Sequence, residues 1–260
     1  MLGIGNTTPY MYSITPVFTN DFSVSLDGTD DFINADVVNN GISGWSDIHE
    51  EGTISVWAKI GATSSTGTIV RLQKDSNNYI TLFYHAGSNE TRAAWKVNGS
   101  GSSSNTVASD NPSLEDSGNF HHIVYSWAQA GKIKLYVDGQ LLDTKPGGAT
   151  QLPAWNTTGG DIDNISIGQN TSGSSFFNGN INNFSLWEKE LTLADVLLVY
   201  NSGVPNDVMT LSTLSPHSKC IAYYKCEPDA GTSSTNLVNS SILGLGNDAT
   251  LTNGANYDRH

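Results

Sequence analysis

The chain of 260 residues is long enough to bury a substantial core, as one large all-β domain or two small ones. Its 25 Asp and Glu outweigh 12 Lys and Arg, and the formal net charge of -13 repels phosphate backbones, so nucleic acid is excluded as an expected partner. Charged residues make up 14%, against roughly 25% in ordinary soluble domains; Asn, Ser, Thr and Gly take their place, which suits short strands, turns and an exterior setting.

Residues 1–20 contain Pro9 and Pro16 and little periodicity, and read as an arm or docking segment ahead of a body at 21–260. They lack a basic n-region and a continuous apolar run, so no signal peptide is expected. No stretch approaches the roughly 18 apolar residues of a membrane-spanning helix, so no membrane partner is expected either.

Strand candidates then recur with turn residues between them. "FSVSL" (22–26) stops at Asp27-Gly28, "GTISVWAKI" (52–60) alternates apolar and polar residues, and "GTIVRLQ", "NYITLFYH" and "TRAAWKVNG" follow. "NFHHIVYSWAQAG" leads into "KIKLYVDGQLLDT" (132–144), whose alternation and Asp138-Gly139 dipeptide predict a two-residue hairpin with Leu135 opposite Leu142 and Lys134 opposite Asp143. "DNISIGQ" (163–169), "INNFSLWEKE" (181–190) and "KCIAYYKC" complete about ten short strands, which predicts a two-sheet antiparallel sandwich or jelly roll.

One short helix is predicted in "LTLADVLLVYNSG". Thr192 caps it with Asp195 three residues on, Leu193, Val196, Leu197 and Tyr200 form its apolar face, and Gly203 supplies the left-handed end. If "KCIAYYKC" is one extended strand, Cys220 and Cys226 lie roughly 20 Å apart, beyond disulfide reach, and face the same side as Ala222 and Tyr224. They read as buried small hydrophobes.

The order of these motifs resembles the laminin-G-like, concanavalin A-like jelly-roll family. "SVSLDGTDDFINA", "GTISVWAKI", "NFHHIVYSWAQAGKIKLYVDGQLL" and "NISIGQ" with "FFNGNINNFSLWEKELTLADVLLVYNSG" carry the resemblance, over about residues 22 to 203. It implies an all-β concanavalin A-like sandwich of lectin type, a fold used for binding glycans or proteins and, in some branches, for glycoside hydrolysis. "IAYYKCEPDAGTSSTNLVNSS" with "GNDATLTNGA" resembles the strand and loop that open such domains, so the C-terminal segment is expected to close the same sandwich. Relatives often place a calcium-binding Asp where this chain has Asn239, leaving Asp229 and Asp248 as the nearby oxygens; no cofactor is expected.

Retaining glycosidases need two carboxyl groups about 5 Å apart, and enzymes on this fold commonly supply them from Glu-x-Asp-x-x-Glu on one strand. That pattern is absent. Glu188 with Glu190, and Asp161 with Asp163, read as exposed strand-end acids, so the chain is expected not to be an enzyme. His121-His122 read as packed or hydrogen-bonded histidines, one directed inward and one outward.

Sugar binding needs an aromatic ring beside amides or carboxylates. Trp57, Trp95, Trp127 and Trp187 fall on strands and are expected in the core. Trp45 and Trp155 fall in loops; they are candidate sugar platforms, with Asn156 and Asp161 as polar companions, or staples that hold long loops to the sandwich.

The exterior composition without an export signal fits a virion surface protein, a capsid decoration or fibre component that adheres to glycans. Residues 1–20 would then dock it to other virion proteins, in a homo-trimer. A free carbohydrate-binding lectin is the rival reading, and a glycoside hydrolase the third.

Overall fold

The structure is a computed structural model, and it describes residues 21–35, 51–61, 65–96, 106–108, 118–128, 132–146, 164–214, 217–227, 236–238, 240 and 248–259. In chain order the strands are β1 (Phe22–Asp27), β2 (Phe32–Asn34), β3 (Glu51–Ile60), β4 (Gly67–Asp75), β5 (Asn78–His85), β6 (Glu90–Lys96), β7 (Thr106–Ala108) and β8 (His121–Ala128). They continue with β9 (Lys132–Val137), β10 (Gln140–Pro146), β11 (Asn164–Ile167) and β12 (Asn178–Trp187). After the helix α1 (Leu193–Tyr200) come β13 (Cys220–Tyr224), β14 (Asn236–Leu237), β15 (Ala249–Thr252) and β16 (Asn256–Arg259).

Two antiparallel sheets result, the all-β sandwich that the alternation predicts. The first has the order β10-β9-β8-β3-β12-β1-β16, with β13 also pairing β12, and the second β14-β15-β2-β11-β4-β5-β6-β7. The C-terminal segment closes both: β15 pairs β2, and β16 pairs β1. Residues of one parity on each strand, such as Val56, Ile123 and Ile181 on the first sheet and Val70, Leu82 and Ile165 on the second, meet in the core between the sheets. Trp57, Trp95, Trp127 and Trp187 are all buried, as expected of strand tryptophans.

A second apolar layer lies on the outside of the first sheet. Val124, Tyr136 and Trp187 meet Val196 and Val199 of α1 and Val208 and Leu214 of the segment after it. Thr192 and Asp195 form the predicted capping box. The rest of the helix departs from expectation. Its buried residues are Asp195, Val196 and Val199, whereas Leu193 and Leu197 are about half exposed. The left-handed C-cap is Asn201 rather than Gly203.

Two registers also differ from the simplest reading, each because of a bulge. In the β9-β10 hairpin the pairing shifts between Leu141 and Asp143, so Asp143 faces Leu135 and Thr144 faces Lys134. Lys134 instead forms its ion pair with Glu190. Between β12 and β13 the shift falls at Leu186/Trp187, which sends Cys220 into the outer layer while Ala222, Tyr224 and Cys226 stay in the main core. Both cysteines are free and buried, but they do not share a face. Burial pushes the Cys226 thiol up to about 12, so it behaves as an inert core group.

Among the described residues, no helix is long and apolar enough to cross a membrane.

Candidate functional site

The outward positions of the second sheet form a surface unlike any other in the described chain. Val70 and Leu72 point into the core, so Arg71 between them points out; Ile80 and Leu82 bracket Thr81, and Ile165 and Ile167 bracket Ser166, in the same way. Cross-strand register then sets Thr250, Asn34, Ser166, Arg71, Thr81 and Ala94 side by side in one row across six strands. At the usual strand spacing the row spans about 24 Å. Apart from Arg71 its side chains are small, and Ser166, Thr81 and Ala94 are buried, so this row is the floor of a trough.

Taller residues flank that floor on both sides. Tyr79 lies opposite Gln73 and Lys96 on one side, and Phe83 opposite Thr68 and Arg92 on the other. They enclose a hollow of 360 Å³, closed at one end by Asn170 and Ser175. The closing loop is anchored: Thr68 donates from its backbone N–H to the Ser175 carbonyl (2.8 Å), and Asn170 Oδ1 accepts from the backbone N–H groups of Ser172 (3.1 Å) and Ser174 (3.0 Å). A floor of hydroxyls and amides with an aromatic ring on either wall is the polar-plus-apolar lining of a small-molecule cleft.

The two arginines in the hollow are in different electrostatic situations. Arg92 is neutralised by Glu90 at 2.7 Å, and Ser88 supports the pair by accepting from Arg92 Nη2 and donating to Glu90 Oε2. That contact and its hydrogen bonds hold the Glu90 carboxyl below the usual carboxylate range against the opposing effect of burial. Arg71 is held by neutral groups. Its guanidinium stacks 3.3 Å from the Tyr79 ring centre, and its Nε and Nη2 donate to Gln73 Oε1 at 3.1 and 2.9 Å. Thr171 Oγ1 donates to the same Gln73 oxygen. Burial pulls the Arg71 guanidinium below its ordinary range, although it stays protonated at any physiological pH.

The outer face of the first sheet carries His122, while His121 shares the parity of the core residue Ile123. His122 is fully buried, with its ring 5.0 Å from Trp57 and 6.0 Å from Tyr200 of α1, and its Nε2 lies 2.8 Å from Ser55 Oγ. Burial lowers its pKa to about 3, so it is neutral. His121 Nδ1 meets Asp138 Oδ2 at 2.6 Å, while Asp138 Oδ1 accepts from the His122 backbone N–H at 2.9 Å. A side chain at Gly139 would meet Tyr200 at 2.9 Å and Leu197 at 3.0 Å, so the hairpin turn is clamped under the helix. This cluster is packed scaffold, as the sequence suggests for the histidines.

The Glu188–Glu190 pair is structural too, and Asp161 with Asp163 lies outside the described residues. Glu190 is bound by Lys134, and Glu188, expected at an exposed strand end, is instead buried, with Lys219 at 3.6 Å. Asp27, Asp30 and Asp31 bring carboxylate oxygens within 4.8 Å of one another, but the turn itself accounts for them. Asp27 Oδ1 accepts from Thr29 N–H at 2.7 Å, and Asp31 Oδ2 from Asp27 N–H at 3.1 Å.

Of the residues singled out in sequence, Trp45, Trp155, Asn156 and Asp161 lie outside the described residues, as do Asn239 and Asp229. Arg71, Tyr79, Thr81, Phe83 and Arg92 were not singled out. Their signal was present: two of the chain's three arginines fall at outward positions of β4 and β6, the strands on either side of β5.

The family described as Concanavalin A-like lectin/glucanases superfamily (Laminin_G_3) matches residues 27–197. No curated protein matches the sequence. Among solved structures, a candidate carbohydrate-binding protein from Bacteroides ovatus superposes with a TM-score of 0.61 at 14% identity, covering 92% of this chain and 60% of that one. This chain therefore spans less than two thirds of the Bacteroides protein. The CBM40 module of Ruminococcus gnavus IT-sialidase gives 0.53 at 13% identity, over 70% of this chain and 99% of the module. The binding domain of botulinum neurotoxin DC, solved with rat synaptotagmin II, gives 0.52 at 19%, over 72% and 44%. At these identities the likeness is one of fold.

Proposed function

The chain belongs to the concanavalin A-like lectin/glucanase superfamily, and from that premise we propose that it is a non-enzymatic carbohydrate-binding module whose glycan lies in the trough on the second sheet. The observation that carries this reading is the hollow floored by Arg71, Thr81 and Ala94 between the Tyr79 and Phe83 walls, with the hydroxyls of Thr66, Thr68 and Ser175 and the Asn170 amide around it. These hydroxyl and amide groups match sugar hydroxyls, and the rings offer apolar edges to sugar C–H faces. Among the described residues, none lining the hollow is a carboxylate, which supports binding over hydrolysis, since retaining chemistry needs a close carboxyl pair. The Ruminococcus module, which shares the fold, has been solved with sialyllactose bound.

A glycan array followed by calorimetry on Ala94→Trp tests the reading. The added indole fills the floor, so binding falls by more than roughly tenfold while the circular dichroism spectrum is kept. Unchanged affinity in Ala94→Trp, with loss in Trp45→Ala or Trp155→Ala, would move the site to the segments around those tryptophans. Display on a virion surface, with residues 1–20 docking a trimer to other virion proteins, is the finer part of the proposal and rests on composition. Mass spectrometry of purified particles addresses it, and absence of the chain from particles would remove it in favour of a free lectin.

A further inference from the structure

We propose that the trough selects a carboxylate-bearing sugar and that Arg71 is the group that takes the carboxylate. This deepens the carbohydrate-binding reading and rests on it.

In a chain with 25 acidic residues, the contacts found for Arg92, Lys134, Lys189, Lys219 and Lys225 each include a carboxylate, whereas those found for Lys59, Lys96 and Arg259 are aromatic rings or a backbone carbonyl. Arg71 is half-buried, yet among the described residues no carboxylate contacts it; Gln73 and Tyr79 hold it instead. Holding a cation partly out of water beside neutral groups alone costs free energy that an anionic partner recovers.

Geometry defines what that partner is. The Nε–Nη2 edge of the guanidinium is taken by Gln73, and stacking on Tyr79 fixes its plane. The Gln73 bonds leave Nη1 and the second Nη2 proton, an edge suited to the two oxygens of a carboxylate, with Tyr79 as its neighbouring hydrogen-bond partner. Directly across the strand register lies Ser166, whose buried Oγ has no hydrogen-bond partner among the described residues. Ser166 lies one strand beyond the residues that line the hollow, and its unpartnered buried hydroxyl beside Arg71 is a polar group that ligand atoms reaching past the guanidinium would complete. Arg92, already paired with Glu90, contributes little net charge, so selectivity resides at Arg71.

The test uses the full chain and matched saccharides: oligomers of uronic acids and sialyllactose, each beside its carboxyl-reduced alcohol. The wild type is expected to bind at least one acidic form roughly 10- to 100-fold more tightly than its reduced partner, with affinity falling as salt rises. Arg71→Gln is expected to bring that ratio close to one, and Arg71→Lys, which keeps the charge but not the two-donor edge, to restore part of it. Thermal melts establish that both variants are folded. Equal affinity for acidic and reduced forms, or an acid preference that survives in Arg71→Gln, overturns the inference. If neutral glycans then still bind and Ala94→Trp abolishes binding, the carbohydrate reading stands without it. No binding of either form, across the array as well, overturns both.

Discussion

The two outer faces of the sandwich come from the same alternation of side chains and meet opposite fates. On the first sheet Trp57, His122 and Tyr136 point outward, and the segment from Leu191 to Leu214 folds back over that face to bury a second apolar layer. On the second sheet the outward positions are Arg71, Gln73, Tyr79, Thr81, Phe83 and Arg92, and no described helix lies over them. A face rich in apolar groups recruits cover, because each exposed ring would cost free energy in water. One rich in hydroxyls and guanidinium groups can stay open, and an open concave face is where a ligand fits. Stability should therefore be concentrated on one face and recognition on the other.

That division can be broken by mutation. Trp57→Ala removes the largest ring of the Trp57–His122–Tyr200 cluster and is expected to cost about 3–5 kcal/mol in chemical denaturation while glycan affinity at 25 °C is retained. Comparable losses of affinity and stability in this variant would merge the two faces functionally.

Acid provides a second probe of the covered face. His122 is neutral when folded, with its pKa lowered to about 3, whereas in the unfolded chain it takes a proton near 6.5. The unfolded state thus binds more protons between those values, so this group's contribution to stability is complete above pH 6.5 and declines as pH falls toward 3. The slope is about 1.4 kcal/mol per pH unit for this residue alone. Urea denaturation from pH 7 to 4 should show it, and His122→Gln should flatten it.

On the open face, Phe83→Ala removes one wall of the hollow and is expected to weaken glycan binding roughly tenfold with only a minor shift in denaturation midpoint. The smallest effect comes from Thr192→Ala. It deletes one half of the capping box that starts α1, costs about 1 kcal/mol in denaturation and leaves binding unchanged.

The contrast also explains which features could be read from the sequence. Strands such as "GTISVWAKI" announce themselves because burial of one face imposes period-two alternation, and the Thr192–Asp195 cap has a local hydrogen-bond signature. Leu142 and Ile221 show the limit. A bulge adds one residue to one strand without changing composition, and it shifts the pairing of everything beyond it, so Lys134 met Glu190 from a distant segment rather than Asp143. Leu193 and Leu197 fit a helical apolar stripe, yet burial of α1 is set by where it lands on the sheet. The trough was the hardest feature to see. Thr81, Ser166 and Asn34 are unremarkable singly and become a floor only when β2, β11, β4 and β5 are placed side by side. Exposed rings are read in sequence at Trp45 and Trp155 instead, which the sequence pattern assigns to loops and which lie outside the described residues.

The most direct test of the central claim is backbone-amide NMR during titration with the tightest-binding saccharide from the array. The account predicts shift changes concentrated on β4, β5 and β6, at Arg71, Thr81, Phe83 and Ala94, with α1 and the His122 neighbourhood unmoved. Changes confined to the α1 face, or to the segments around Trp45 and Trp155 with β4 to β6 silent, would contradict it.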